Sequence, residues 1–147
     1  MKRLIRYVWA FPTTLIGLVL LPLVFVGRGR VAVVGGVIEA HGRWISWLLR
    51  HLIPIPGGAL AITLGHVILG RDADALDRTR EHEHVHVRQA ERWGPFFLPA
   101  YLFSSLAELF VGGNPYRSNI FEREAYAATA IKKPDRSSAT TPGRVES

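Results

Sequence analysis

The chain has no cysteine among its 147 residues and only one methionine. Without thiols there is no disulfide framework, no thiolate nucleophile and no Cys-ligated zinc or iron–sulfur centre, so a metal would need His and carboxylate ligands. Acidic residues are also scarce, with 12 Asp and Glu against 18 Lys and Arg, a formal charge of +6. That balance suits nucleic acid or anionic lipid. No nucleic-acid-binding module is recognisable, whereas Arg28, Arg30, Arg43 and Arg50 cluster near an apolar segment. The expected partner is therefore membrane lipid and not nucleic acid. The length suits one domain with a single core. Apolar residues make up 48% of the chain, yet the pI is near 10.3, so apolar and basic residues must be segregated along it.

Asp, Glu, Lys, Arg and His are all missing from residues 7–26, and Lys2, Arg3 and Arg6 precede this run while Arg28 and Arg30 follow it. Twenty helical residues span roughly 30 Å, the thickness of a bilayer core. Pro12 and Pro22 imply a kink, which membrane helices tolerate better than soluble ones. Tyr7 and Trp9 suit the lipid interface. A signal peptide is the rival reading, but no small-residue cleavage site precedes the basic 27–30 segment, which favours a retained anchor. The expectation is a single pass through the plasma (inner) membrane, with sidedness left open because both flanks are basic.

Residues 31–34 and 37–41 are β-prone around Gly35-Gly36, which predicts a hairpin. Residues 44–52 place Ile45, Leu48, Leu49 and Leu52 at helical spacing. The Pro- and Gly-rich residues 53–58 predict a linker. Residues 59–69 alternate in the manner of one strand, with Leu60, Ile62, Leu64, His66 and Ile68 on one face. A charged helix then runs to Trp93, with Asp72 or Asp74 as N-cap and Gly94-Pro95 as its stop. An apolar helix over residues 96–111 follows, expected to pack against the charged one. Asn119 can cap a last helix over residues 120–131. The remaining residues 132–147 have the composition of a disordered tail.

The charged helix carries His82-Glu83-His84-Val85-His86, an H-E-x-x-H pattern. Four-residue spacing stacks His82 and His86 one turn apart on one helix face, as two nitrogen ligands of a single zinc require. Glu83 lies beside that face, positioned to serve as general base toward water. His84 falls off the ligand face. The bland alternative for all of them is a solvated polar helix face. A strand-type His84-x-His86 pair is opposed by the helix-forming composition.

With these residues the chain resembles the zincin metallopeptidases, in particular the gluzincins and an uncharacterised group of small bacterial H-E-x-x-H proteins. The resemblance covers residues 65–126. It includes His82-Glu83-x-x-His86 with Gln89 three residues on, and Phe121-Glu122-Arg123-Glu124-Ala125-Tyr126, which is similar to the E-x-x-A-D third-ligand motif of membrane-embedded CAAX-protease and HtpX-like peptidases. Tyr126 stands where those families carry Asp, leaving the carboxylate that would orient a ligating His to come from elsewhere. The resemblance implies Glu122 as third ligand, with Glu124 as the competing choice. It also implies that residues 59–69 pair with extended substrate.

These observations lead to an α+β expectation: a membrane segment over residues 1–29, a minimal zincin-like unit over 30–131 (strands, active-site helix, backing helix and glutamate helix), and the tail. The expected activity is zinc-dependent hydrolysis of a peptide or protein substrate, with Glu83 as general base and Zn²⁺ on His82, His86 and Glu122. Glu124, Tyr126, His66, Tyr116 and Arg117 are candidates for supporting or substrate contacts. The alternatives are a non-catalytic zinc-binding structural protein and a metal sensor.

Overall fold

A computed structural model of the chain describes residues 2–53, 55 and 57–132; Lys132, the first residue of the expected tail, ends the last helix, and the rest of that tail, with Pro54 and Pro56 of the linker, lies outside the described residues. The fold is mixed α+β. Helix α1 (Lys2–Val26) leads into a hairpin of β1 (Arg30–Val34) and β2 (Val37–His41), followed by α2 (Arg43–His51). Gly35 and Gly36 both have positive φ, 61° and 86°, the backbone that a tight two-residue hairpin turn demands.

The single strand expected over residues 59–69 is instead a second hairpin, β3 (Ala61–Leu64) and β4 (Val67–Gly70). Gly65 adopts φ 64° and lets the chain reverse between Leu64 and Val67, which pair across the turn. The reversal also changes the faces. Ile62 and Leu64 share a side with Val67 and Leu69, while Ile68 joins Ala61 on the other. One tight turn is enough to invert the alternation that a continuous strand would have kept.

The sheet order is β1-β2-β4-β3, with β2 and β4 parallel and the two hairpins antiparallel. One face packs Ala40, Leu64, Val67 and Leu69 against Val24 of α1 and Ile45 and Leu49 of α2. The other packs Val37, Ala61 and Ile68 against Leu76 and Val87 of helix α3 (Ala73–Trp93). As expected, Asp72 caps α3, its Oδ1 accepting from Ala75 N at 2.7 Å, and Gly94 ends it. Helix α4 (Phe97–Phe110) and helix α5 (Ile120–Lys132) complete the chain, with Asn119 Oδ1 accepting from Phe121 N at the start of α5.

Helix α1 is the one helix among the described residues long and apolar enough to cross a bilayer by length and composition. Its inner face is also part of the core. Gly17 lies so close to β4 that a Cβ there would come within 2.6 Å of Val67 Cβ. Thr13 Oγ1 donates to Gly94 O at 3.2 Å, Tyr7 OH to Gly36 O at 2.8 Å, and Thr14 Oγ1 accepts from His66 N at 3.1 Å.

Candidate metal centre

His82 and His86 point from the middle of α3 toward the first turn of α5, where Glu122 is almost fully buried. His82 Nε2 lies 3.1 Å from Glu122 Oε2 and 3.1 Å from His86 Nε2, and His86 Nε2 lies 3.2 Å from Glu122 Oε1. These three residues form a group able to hold a metal ion. With one ligand atom from each residue, the three donors lie within 4.8 Å of one another, close enough to converge on one ion.

Within the group the carboxylate and an imidazole shift in opposite directions, each favouring the charged form of the other. Burial raises the Glu122 carboxyl, but hydrogen bonds with His82, His86 and Tyr101 more than reverse this and hold it at about 2. Burial disfavours a charged His86, yet Glu122 and Glu83 outweigh it and raise that imidazole above its ordinary value. Tyr101 OH donates to Glu122 Oε1 at 2.7 Å; burial, and then the Glu122 charge, push its phenol far up, so it remains a donor.

Glu83 is buried beside the cluster and is not a member of it. Thr63 Oγ1, on β3, donates to Glu83 Oε2 at 2.7 Å and aims the carboxylate. Burial raises the Glu83 carboxyl above the usual carboxylate range, an effect partly offset by His86 and by Thr63. Glu83, His86 and Glu122 line one side of a cavity of about 310 Å³. Its remaining walls are largely apolar and include Ile62 and Leu64 of β3 and Leu98 and Leu102 of α4. β3 is an edge strand, and its residues Ala61, Ile62, Thr63 and Leu64 all border this cavity.

The residue that orients His86 is Gln89. His86 Nδ1 lies 2.8 Å from Gln89 Oε1; as an amide oxygen only accepts, Nδ1 carries a proton in this contact and Nε2 is the ring atom turned toward Glu122 and the cluster. Gln89 is fully buried, and its Nε2 donates at 3.0 Å both to Phe121 O and to Glu124 Oε2. An amide therefore does what the resemblance would have asked of a carboxylate at position 126. Tyr126 instead rests its ring 4.7 Å from that of His82.

The other singled-out residues divide. Glu124 stays outside the cluster, bonded to Gln89 and Arg92; the Arg92 guanidinium holds its carboxyl below the ordinary value. Tyr116 lines the cavity, and Tyr126 OH lies 3.4 Å from its hydroxyl. Arg117 is exposed, and its backbone N–H donates to Asn114 Oδ1 at 2.8 Å. His66 is buried in the β3–β4 turn, stacked on Tyr7 at 4.1 Å and 3.3 Å from Glu91 Oε1, in a separate cluster with α1. His84 Nε2 is 3.8 Å from Glu39 Oε1, and Glu39 pairs through both oxygens with Arg80.

Sequence reasoning missed Thr63 and Tyr101 and gave Gln89 no role. Gln89 had a local signal, since three residues on from His86 places it on the same helix face. Thr63 and Tyr101 lie about twenty residues from their partners and had none. The chain matches no protein-family model, no curated protein and no solved structure.

Proposed function

We propose that the protein is a membrane-associated zinc metallopeptidase with a minimal zincin-like arrangement. The observation that carries this reading is the convergence of His82 Nε2, His86 Nε2 and a Glu122 oxygen beside a buried, Thr63-held Glu83 that is free of the cluster. Two imidazoles and one carboxylate are a catalytic type of ligand set, leaving a tetrahedral position open. When bound, zinc supplies Lewis acidity toward a substrate carbonyl and lowers the pKa of water.

The chain's own residues supply the rest. Glu83 accepts a proton from the attacking water and returns it to the leaving amine, with no side-chain nucleophile. Thr63 keeps the carboxylate of Glu83 turned toward the cavity. Gln89 holds His86 with Nε2 turned toward the metal position, and Tyr101 fixes the orientation of Glu122. The free edge of β3 offers backbone hydrogen bonds to an extended peptide, and the apolar cavity beside it accepts a side chain.

The decisive comparison is of purified wild type, Glu83→Gln, His82→Ala and His86→Ala for zinc content and for hydrolysis of a fluorogenic peptide library. Glu83→Gln is expected to retain zinc and lose hydrolysis, and both His variants to lose zinc. Wild-type hydrolysis by Glu83→Gln, or full zinc content in both His variants, defeats the reading.

A second reading has its own observation: the cluster joins α3 to α5, so a metal there can act as a staple between helices. It is favoured if Glu83→Gln leaves cellular function intact while His86→Ala unfolds the protein.

A further inference from the structure

Helix α4 is built inside out. Its hydroxyls turn toward the protein: Tyr101 donates to Glu122, Ser105 Oγ accepts from Asn119 Nδ2 at 2.7 Å, and Ser104 Oγ accepts from Ile120 N at 3.2 Å. Its large apolar side chains turn outward, with Phe103 74% and Phe110 82% exposed and Leu102, Leu106 and Leu109 also exposed. Phe97 alone in this helix is buried. No Asp, Glu, Lys, Arg or His occurs from residue 93 to residue 107. A helix facing water would show the opposite arrangement.

The same outward apolar character continues onto α1. Trp9 and Phe96, both exposed, bring their rings to 6.4 Å across the junction, and Phe11, Leu15 and Val19 extend the exposed surface along α1. All four tryptophans, Trp9, Trp44, Trp47 and Trp93, are about half exposed, and the Arg43 guanidinium lies 5.5 Å from the Trp44 ring. Half-exposed Trp beside Arg is the side-chain pattern of a lipid headgroup boundary. The charged surface lies elsewhere, on α3, where Asp74, Arg78 and Arg88 are exposed.

We propose that α4 and the outer face of α1 form one lipid-facing surface, so that the bilayer covers α4 and the metal cluster lies at the membrane, not on a domain held away from it. At 14 residues, roughly 21 Å, α4 is too short to cross and lies within one leaflet. Leu98 and Leu102 of α4 also wall the cavity beside Glu83, so the cavity opens next to lipid. This inference rests on the membrane reading of α1 and is independent of the metal.

Because the chain lacks cysteine, single substitutions can be spin-labelled uniquely. Phe103→Cys and Phe110→Cys on α4, Leu15→Cys on α1 and Arg78→Cys on α3 are compared in the full chain, reconstituted into phosphatidylcholine–phosphatidylglycerol vesicles. The readout is collision with oxygen, which partitions into lipid, against a water-soluble nickel chelate. The expected result is oxygen-dominated broadening at positions 15, 103 and 110, inverting to nickel-dominated at 78. Lipid exposure at 15 with nickel-dominated broadening at 103 and 110 overturns the proposal and leaves α1 as a membrane helix. Shielding of 103 and 110 from both reagents, with dipolar broadening between labels, overturns it in favour of a second copy. Nickel-dominated broadening at 15 removes the membrane reading itself.

Discussion

His86 and Gln89 are joined by a 2.8 Å hydrogen bond from the imidazole Nδ1 to the amide oxygen, and Gln89 passes the constraint to α5 by donating to Phe121 O, one residue before Glu122. One buried amide thus sets both the tautomer of a candidate ligand and the position of the helix bearing another. Replacing Gln89 with the similarly sized Met is expected to weaken zinc affinity by about 10- to 100-fold, as removal of such an orienting partner typically does. Competition against a chromogenic chelator measures it, with circular dichroism confirming the fold. An unchanged affinity means that His86 is oriented by something other than Gln89.

Glu122 and Glu124 are separated by their surroundings. Glu122→Gln should abolish stoichiometric zinc, since it removes a donor from the group of three. Glu124→Gln should keep zinc and cost at most about 1 kcal/mol, because the Arg92 pair it weakens is largely exposed and the new amide oxygen can still accept from Gln89. Metal content by mass spectrometry decides between them, and zinc retained by Glu122→Gln with zinc lost from Glu124→Gln reverses the assignment.

Thr63 touches Glu83 and no member of the metal group, so Thr63→Val should leave zinc content unchanged. It removes a hydrogen bond to a buried carboxylate, worth on the order of 1–3 kcal/mol, and turnover is expected to fall about tenfold or more. Loss of metal in this variant contradicts the division between ligands and base.

Added zinc should raise the melting temperature whether or not the protein is an enzyme. At a hundredfold excess over Kd the stabilisation is about 2.7 kcal/mol. His86→Ala should show no such shift in differential scanning calorimetry. A shift of equal size in that variant means that the ion binds elsewhere.

Gly17 tests how firmly α1 belongs to the core. A Cβ at this position meets Val67, and Gly17→Leu should destabilise the protein by about 1–3 kcal/mol, read as a lower melting temperature in detergent. Deleting residues 2–26 should leave the remainder unfolded, as it strips the cover from Val67 and Leu69. A stable, folded truncation shows instead that α1 is separable.

Much of the local structure was legible because its causes are local. Gly35-Gly36 specified the first hairpin turn, Asp72 and Gly94 bounded α3, and Asn119 opened α5. The second hairpin was hidden because residues 59–69 alternate evenly, and a lone Gly65 weighed less than that pattern. Helix α4 was expected to pack against α3, and it does so through Phe97 and Tyr101, whose rings lie 6.4 and 6.1 Å from that of His86, while most of its apolar face stays outward. Hydropathy reports that a face is apolar without saying what lies against it.

By itself the sequence determined that His82 and His86 share a helix face, since four residues make nearly one turn whatever surrounds the helix. It also determined that residues 7–26 are long and apolar enough to cross a bilayer by length and composition. Only the tertiary structure decided that Glu122 and not Glu124 meets the imidazoles, that Thr63 and Gln89 serve Glu83 and His86, and that α1 forms part of the core as well as an apolar surface. These relationships join residues that are mostly twenty or more positions apart. They depend on how the sheet, α3 and α5 pack, which no short stretch of sequence specifies.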